Sequence, residues 1–368
     1  MQIAPFQLER YFAEYEFTTE YLLCSSDCES MTVGQLLELE PGAADALQNQ
    51  WLGYTESRGG IQLRRAICRL YESIEADDVL VHTGAEEAIF LFMHAVLQAG
   101  DHVIVHWPCY QALTEVARSI GCEVSPWIAR EENGWGLDVR ELEGLIKPNT
   151  RAIILNTPHN PTGYLMPRAE FEAVSAIARD SGLLLFSDEV YRESEYDSAE
   201  RLPAACDLGE HAVSLGVMSK TYGLAGLRIG WIATHNRQAY DQMAALKDYT
   251  TICNSAPGEF LAELGLRQRN HLVERNLGII KSNLEVLEQF MQRHAGLFTW
   301  VPPRAGSMAF PRYLGESIDG FCDKLVREAG VLLLPGTVYD EHNNHFRVGL
   351  GRKNMPEALA RLEDHLTK

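Results

Sequence analysis

From about residue 78 to residue 235 the chain alternates between two kinds of apolar pattern. Short apolar runs, VLVH (79–82), HVIVHW (102–107), RAIILN (151–156), LLLFSDE (183–189), AVSLGV (212–217) and IGWIAT (229–234), are separated by stretches of helical spacing such as Glu86–Gln98 and Arg168–Ser181. Continuous runs of this length mark strands buried on both faces. Their alternation with helices predicts βαβ units, hence an α/β fold whose large domain carries a mostly parallel, doubly wound sheet flanked by helices. In such sheets ligands bind beyond the carboxyl ends of the strands, so the residue that ends each run is the first candidate for chemistry.

After about Pro257 the pattern changes. Long helical patterns over Leu261–Arg293 lead into short strand-like runs near Phe298–Val301, Met308–Arg312 and His345–Gly349, and a helical stretch, Pro356–Lys368, follows. This reads as a smaller α/β domain. The expected division is 1–35 as an N-terminal segment of the small domain, 36–275 as the large domain and 276–368 as the rest of the small one. A chain of 368 residues is long enough to fill two such cores.

Composition narrows the function classes. The net charge of −19 repels phosphate backbones and anionic lipid surfaces, so neither nucleic acid nor membrane is an expected partner. No apolar run approaches the roughly 20 residues that cross a bilayer. The opening MQIAPFQLERYFAEY lacks the basic end, apolar stretch and cleavage site of a secretory signal, and a cytoplasmic location is expected. The eight cysteines are scattered, and the one close pair, Cys24 and Cys28, has no companion pair with zinc-like spacing, so reduced thiols and no metal site are expected.

Four strand ends carry suggestive side chains. Val79–His82 runs into Thr83-Gly84-Ala85-Glu86 and a helix, where backbone N–H groups bind phosphate and small residues allow close approach; a plain strand-to-helix turn has the same pattern. RAIILN ends in NTPHNPTG (156–163), a loop stiffened by X-Pro steps, in which Asn160 offers an amide to a ligand or satisfies its own turn. LLLF ends in Ser187-Asp188-Glu189-Val190-Tyr191: Asp188 suits a protonated ring nitrogen or caps a helix, and Tyr191 supplies a hydroxyl. AVSLGV leads to Met218-Ser219-Lys220, a lysine flanked by small residues that is either a surface charge or, if desolvated, an amine of lowered pKa suited to Schiff-base chemistry. Pyridoxal 5'-phosphate accounts for all four together, because its aldehyde takes an amine, its pyridinium a carboxylate, its phenolic oxygen hydroxyl and amide donors, and its phosphate a helix start and an Arg.

The stretches YTESRGGIQLRRAI (54–67), TGAEEAI (83–89), HWPCY (106–110), NTPHNPTG, SDEVY (187–191), SKTYGLAGLRIGW (219–231) and FRVG (346–349) resemble the class I/II aminotransferases, the fold-type I pyridoxal-phosphate enzymes, in their order and spacing. The resemblance spans residues 54 to 349 and implies roles residue by residue. Lys220 holds the cofactor as a Schiff base and shuttles the proton. Asp188 faces the ring nitrogen, Tyr191 and Asn160 bond the ring oxygen, and Tyr110 stacks on the ring. Gly84, Ala85, Glu86, Ser219 and Arg228 bind the phosphate, and Tyr54 reaches the phosphate of a neighbouring subunit, which implies a homodimer with sites at its interface. Arg58, Asn254 and Ser255 fall near that boundary or in ordinary packing. Arg347 clamps the substrate carboxylate, with Asn160 beside it.

The implied activity is that of an aminotransferase in amino-acid metabolism, moving an amino group from an L-amino acid to a 2-keto acid. Position 217, a hydroxyl residue in much of the family, is Val217 here, which removes one phosphate contact. The stretch YLLCSSDCESMTVGQLLEL lacks the family's glycine-bearing motif and resembles the matching region of capreomycidine synthase, a pyridoxal-phosphate enzyme that eliminates and cyclises. That resemblance implies an alternative activity, a lyase or cyclase working by β- or γ-elimination with the same cofactor residues.

Overall fold

The computed structural model describes residues 2–367. Seven strands form the central sheet: β1 (Val79–His82), β2 (His102–Trp107), β3 (Glu123–Ile128), β4 (Thr150–Asn156), β5 (Leu184–Asp188), β6 (Ala212–Val217) and β7 (Gly230–Ala233), in the order β1-β7-β6-β5-β4-β2-β3. Pairings within β3-β2-β4-β5-β6 are parallel. Strand β7 is inserted between β6 and β1 and runs antiparallel to both. Its amino end therefore lies level with the carboxyl ends of its neighbours: Gly230 pairs with His82 on one side and with Val217 on the other.

Alternate residues of each strand face opposite cores. Val103, Val105, Ile154, Phe186 and Leu215 pack with Ala88 and Phe92 of the helix Gly84–Val96 and with Met243 of Arg237–Lys247. Ile104, Ile153, Leu155 and Leu185 pack on the other face with Phe171 and Val174 of the helix Arg168–Asp180. Each fully buried side chain of this kind stabilises the fold by about 1.5–3 kcal/mol.

Strand β3 is absent from the sequence expectation. EVSPWI buries only Trp127 fully and holds Pro126, which an edge strand tolerates because one row of its N–H groups faces outward. The helical patterns expected over Leu261–Arg293 are two helices, Ala256–Arg267 and Arg269–Arg293, separated at Gln268. The expected division between residues 275 and 276 falls inside the second of these. Its Leu272 packs with Leu261 and Leu264, whereas Ile280 and Leu287 pack with Phe298, Phe346 and Val348.

Beyond that helix come β8 (Phe298–Thr299), β9 (Met308–Ala309), β10 (Arg312–Tyr313), β11 (Leu334–Pro335) and β12 (Phe346–Gly349), arranged as β10-β8 and β11-β12-β9. The run expected as one strand over Met308–Arg312 is thus split between two small sheets. The N-terminal segment joins this region through backbone bonds from Tyr21 N to Gly330 O, Gly349 N to Leu23 O and Glu29 N to Gly351 O. No helix among the described residues is long and apolar enough to cross a membrane.

Candidate active site

The carboxyl ends of β1, β2, β4, β5 and β6, the start of β7, strand β12 and the N-terminal segment converge on one cavity of about 590 Å³. Lys220, Asp188, Tyr191, Asn160, Tyr110 and Arg228 all line it, with Ala85, Glu86, Ser219 and Arg347. Topology explains Arg228: a residue just before a strand reaches the carboxyl-end face because β7 runs opposite to the rest.

Lys220 follows β6 by three residues, and its Nζ donates to Ser26 Oγ at 3.0 Å. Burial pushes its pKa below the ordinary lysine value, with Asp27 acting against that shift. Asp188 ends β5 in register with Asn156 on β4. Burial lifts its carboxyl to about 7, while the Val190 N–H, bonded to Oδ1 at 3.2 Å, favours the charged form. A carboxylate in such surroundings is poised to ionise when a cation is set against it. The Tyr191 hydroxyl is buried and has no partner among the described residues. A buried hydroxyl left in this state costs about 1–3 kcal/mol, which a ligand oxygen in the cavity removes.

Asn160 is fixed from three sides. Its backbone N–H donates to Asn156 Oδ1 at 2.7 Å, and its own Oδ1 accepts from the Tyr339 hydroxyl at 3.1 Å and Arg347 Nη1 at 3.2 Å. Arg347 is 1% exposed, donates from Nε to Cys24 O at 2.8 Å, and also contacts the Tyr339 hydroxyl through Nη1. Tyr110 donates from its hydroxyl to Glu86 Oε1 at 3.0 Å and packs against Phe6. Burial raises the Glu86 carboxyl to about 6.

The start of the helix Gly84–Val96 is shaped to receive an anion. Gly84 has φ +80°, and a Cβ there lies 2.5 Å from Arg228 Nη2, so the guanidinium sits directly over this turn. A Cβ at Gly230 lies 2.8 Å from the Gly84 carbonyl carbon and 3.0 Å from Ala85 N. Both glycines let β7 and its arginine approach the unpaired N–H groups of the first turn. Arg228 Nη1 also reaches Ser219 Oγ at 3.5 Å. Val217 lines the cavity without a hydroxyl. The turn is anchored from outside, since Glu87 accepts from Thr83 N and from the hydroxyls of Thr250 and Thr251.

Tyr54 is not on this cavity; it is 88% exposed, near exposed Trp51 and Leu52. Arg58 lies over the Tyr240 ring at 5.4 Å, Asn254 donates to Glu259 at 3.1 Å, and Ser255 caps the helix Ala256–Arg267. Sequence reasoning missed Ser26, Asp27, Asn156 and Tyr339. Asn156 alone left a signal, being a polar residue that ends a fully apolar run.

A half-buried amine and a buried carboxylate share one cavity with an unpartnered phenol and an anion-ready helix start, and these groups fit pyridoxal phosphate. Comparison with known proteins agrees. Residues 20–362 match the family model for aminotransferase class I and II, and the chain belongs to that family. Capreomycidine synthase of Streptomyces vinaceus is 28% identical over 365 residues, covering 98% of this chain and 93% of that protein. An arginine–pyruvate transaminase of Pseudomonas aeruginosa is 29% identical over 374 residues, covering 96% and 92%. A pyridoxal-phosphate-dependent aminotransferase structure from Streptococcus suis 89-1591 superposes with TM-score 0.94 at 31% identity, covering 100% of this chain and 98% of that one. The cofactor of this protein is pyridoxal 5'-phosphate.

Proposed function

We propose that the protein is an aminotransferase that moves the amino group of an L-amino acid to a 2-keto acid. The observation that carries this reading is Lys220: a half-buried amine of lowered pKa on the same cavity as Asp188, Asn160 and Arg347. Under this reading the first turn of the helix Gly84–Val96, Ser219 and Arg228 hold the phosphate. Tyr110 would stack on the ring, Tyr191 and Asn160 would bond the ring oxygen, and Asp188 would keep the ring nitrogen protonated. When bound, the cofactor supplies an electron sink for the pair left at the substrate's Cα.

The protein's own residues do the rest. Arg347 receives the substrate carboxylate in its planar fork and so fixes which bond at Cα faces Lys220. Lys220, whose amine burial holds below the ordinary lysine pKa, takes the Cα proton and holds it at Nζ for return. Such a positioned base contributes about 10²–10⁴-fold. Leu8 and Phe12 of the N-terminal helix Gln7–Tyr15 line the cavity and add apolar surface to it. Tyr54 and its exposed neighbours suit a homodimer in which that tyrosine serves the partner's phosphate.

The likeness to capreomycidine synthase over 98% of the chain favours a second reading, a lyase or cyclase. The same residues serve it; what differs is whether the electron pair freed at Cα expels a group from the side chain. Incubating the loaded protein with a panel of amino acids, with and without pyruvate or 2-oxoglutarate, separates the two. Keto-acid product that forms only with an acceptor supports transfer, whereas ammonia or a lost side-chain group without acceptor overturns it in favour of elimination.

A further inference from the structure

The cavity carries more negative charge than a cofactor and one substrate carboxylate call for. Its cationic lining is Lys220, Arg228 and Arg347, and its anionic lining is Glu9, Glu16, Asp27, Glu86 and Asp188. Under the reading above, the three cations serve the aldehyde, the phosphate and the α-carboxylate, and Asp188 serves the ring nitrogen. Asp27 is matched by Arg352 at 3.0 Å. Glu86 is bonded through one oxygen to Tyr110, while its Oε2 is buried with no partner among the described residues.

The remaining acids, Glu9 and Glu16, line the cavity beside Asp27 and Glu86. Glu16 is raised above the usual carboxylate value first by burial, then by Glu9 and Asp27. Glu9 pushes in the same direction on Glu86. These acids line one cavity and form its acidic wall, which attracts a cation. That the cavity is built around an occupant is marked by Tyr191, 2% exposed, on the same cavity and with its hydroxyl unpartnered among the described residues. Leu8 and Phe12 add apolar surface beside the acids.

The geometry points to an amino donor with a cationic side chain, an amine or guanidine at the end of a methylene chain, read by Glu9 and Glu16. This rests on the enzymatic reading above and deepens it. Leu8 and Phe12 pack on the methylenes, Arg347 takes the α-carboxylate, and the acidic wall takes the distal charge. A second carboxylate in that position meets like charge, so dicarboxylic substrates are disfavoured.

The test is equilibrium binding to the cofactor-loaded protein, by calorimetry, of three carboxylates that lack an α-amino group: 5-guanidinopentanoate, pentanoate and glutarate. The guanidino acid is expected to bind about tenfold or more tighter than pentanoate at low salt, a gap of roughly 1.4 kcal/mol, and the ratio to shrink in 1 M salt. In the double variant Glu9→Gln, Glu16→Gln the ratio falls toward one. Equal affinity for the two monocarboxylates, tighter binding of glutarate, or a ratio unchanged in the double variant overturns the inference. None of these ligands can react, so the outcome is independent of the function reading. A protein that keeps the binding preference yet reacts with no amino acid supports the acidic wall and counts against the enzymatic reading instead.

Discussion

Arg347 donates from Nη1 to the side-chain oxygen of Asn160 at 3.2 Å, and that oxygen also accepts from Tyr339. With two donors on Oδ1, the amide nitrogen is the end of Asn160 turned to the cavity. One bond thus couples the residue placed at the substrate carboxylate to the residue placed at the cofactor oxygen.

Replacing that arginine therefore acts at both places. Arg347→Lys keeps the charge but loses the planar fork and the hold on Asn160. Each charge-assisted bond is worth about 1.5–3 kcal/mol, so kcat/KM is expected to fall roughly 10- to 100-fold or more, chiefly through KM. A steady-state comparison on one donor, alongside a titration of cofactor binding, checks this; unchanged KM contradicts it.

Asp188 gives the cofactor-free protein a pH signature. Its carboxyl titrates at about 7 when folded, against 3.8 ordinarily. Between those values the folded state holds a proton that the unfolded chain has released, so this group's contribution falls as pH rises from about 4 to about 7. Asp188→Asn removes the decline. Its cofactor-free Tm is expected to match the parent at pH 4 and exceed it at pH 8. Thermal melts at the two values decide, and a variant less stable at pH 8 refutes the assignment.

The expected strands whose apolar runs were continuous are present, because burial on both faces leaves no other pattern. Strand β3 escaped notice since an edge needs neither continuity nor freedom from proline, as Pro126 shows. The break at Gln268 carries no glycine or proline, so its position has no local signal. Lys220, Asp188 and Asn160 were legible because parallel strands deliver their final residues to a common edge. Ser26, Asp27 and Tyr339 reach the cavity only through tertiary packing of the N-terminal segment and the small sheet, which no local spacing encodes.

Gly230→Ala tests the phosphate cradle. The added Cβ meets the Gly84 carbonyl carbon at 2.8 Å and Ala85 N at 3.0 Å, so the first helical turn must move away from Arg228. Cofactor affinity is expected to drop tenfold or more, about 1.4 kcal/mol, with the overall fold kept by circular dichroism. Native affinity in this variant places the phosphate elsewhere.

Tyr54 bears on assembly. If it serves a partner's site, Tyr54→Ala weakens cofactor binding in the dimer without touching the protein's own cavity, whose lining it does not join. Sedimentation combined with cofactor titration reads both effects; a monomer with full cofactor affinity contradicts the role.

The central claim is that a single amine captures the cofactor. Treating the protein with pyridoxal phosphate and borohydride, then digesting it and mapping the adduct by mass spectrometry, tests this most directly. The stable adduct is expected on the peptide containing Lys220 and nowhere else, and is lost in Lys220→Ala. An adduct on a different lysine, or none at all, contradicts the account.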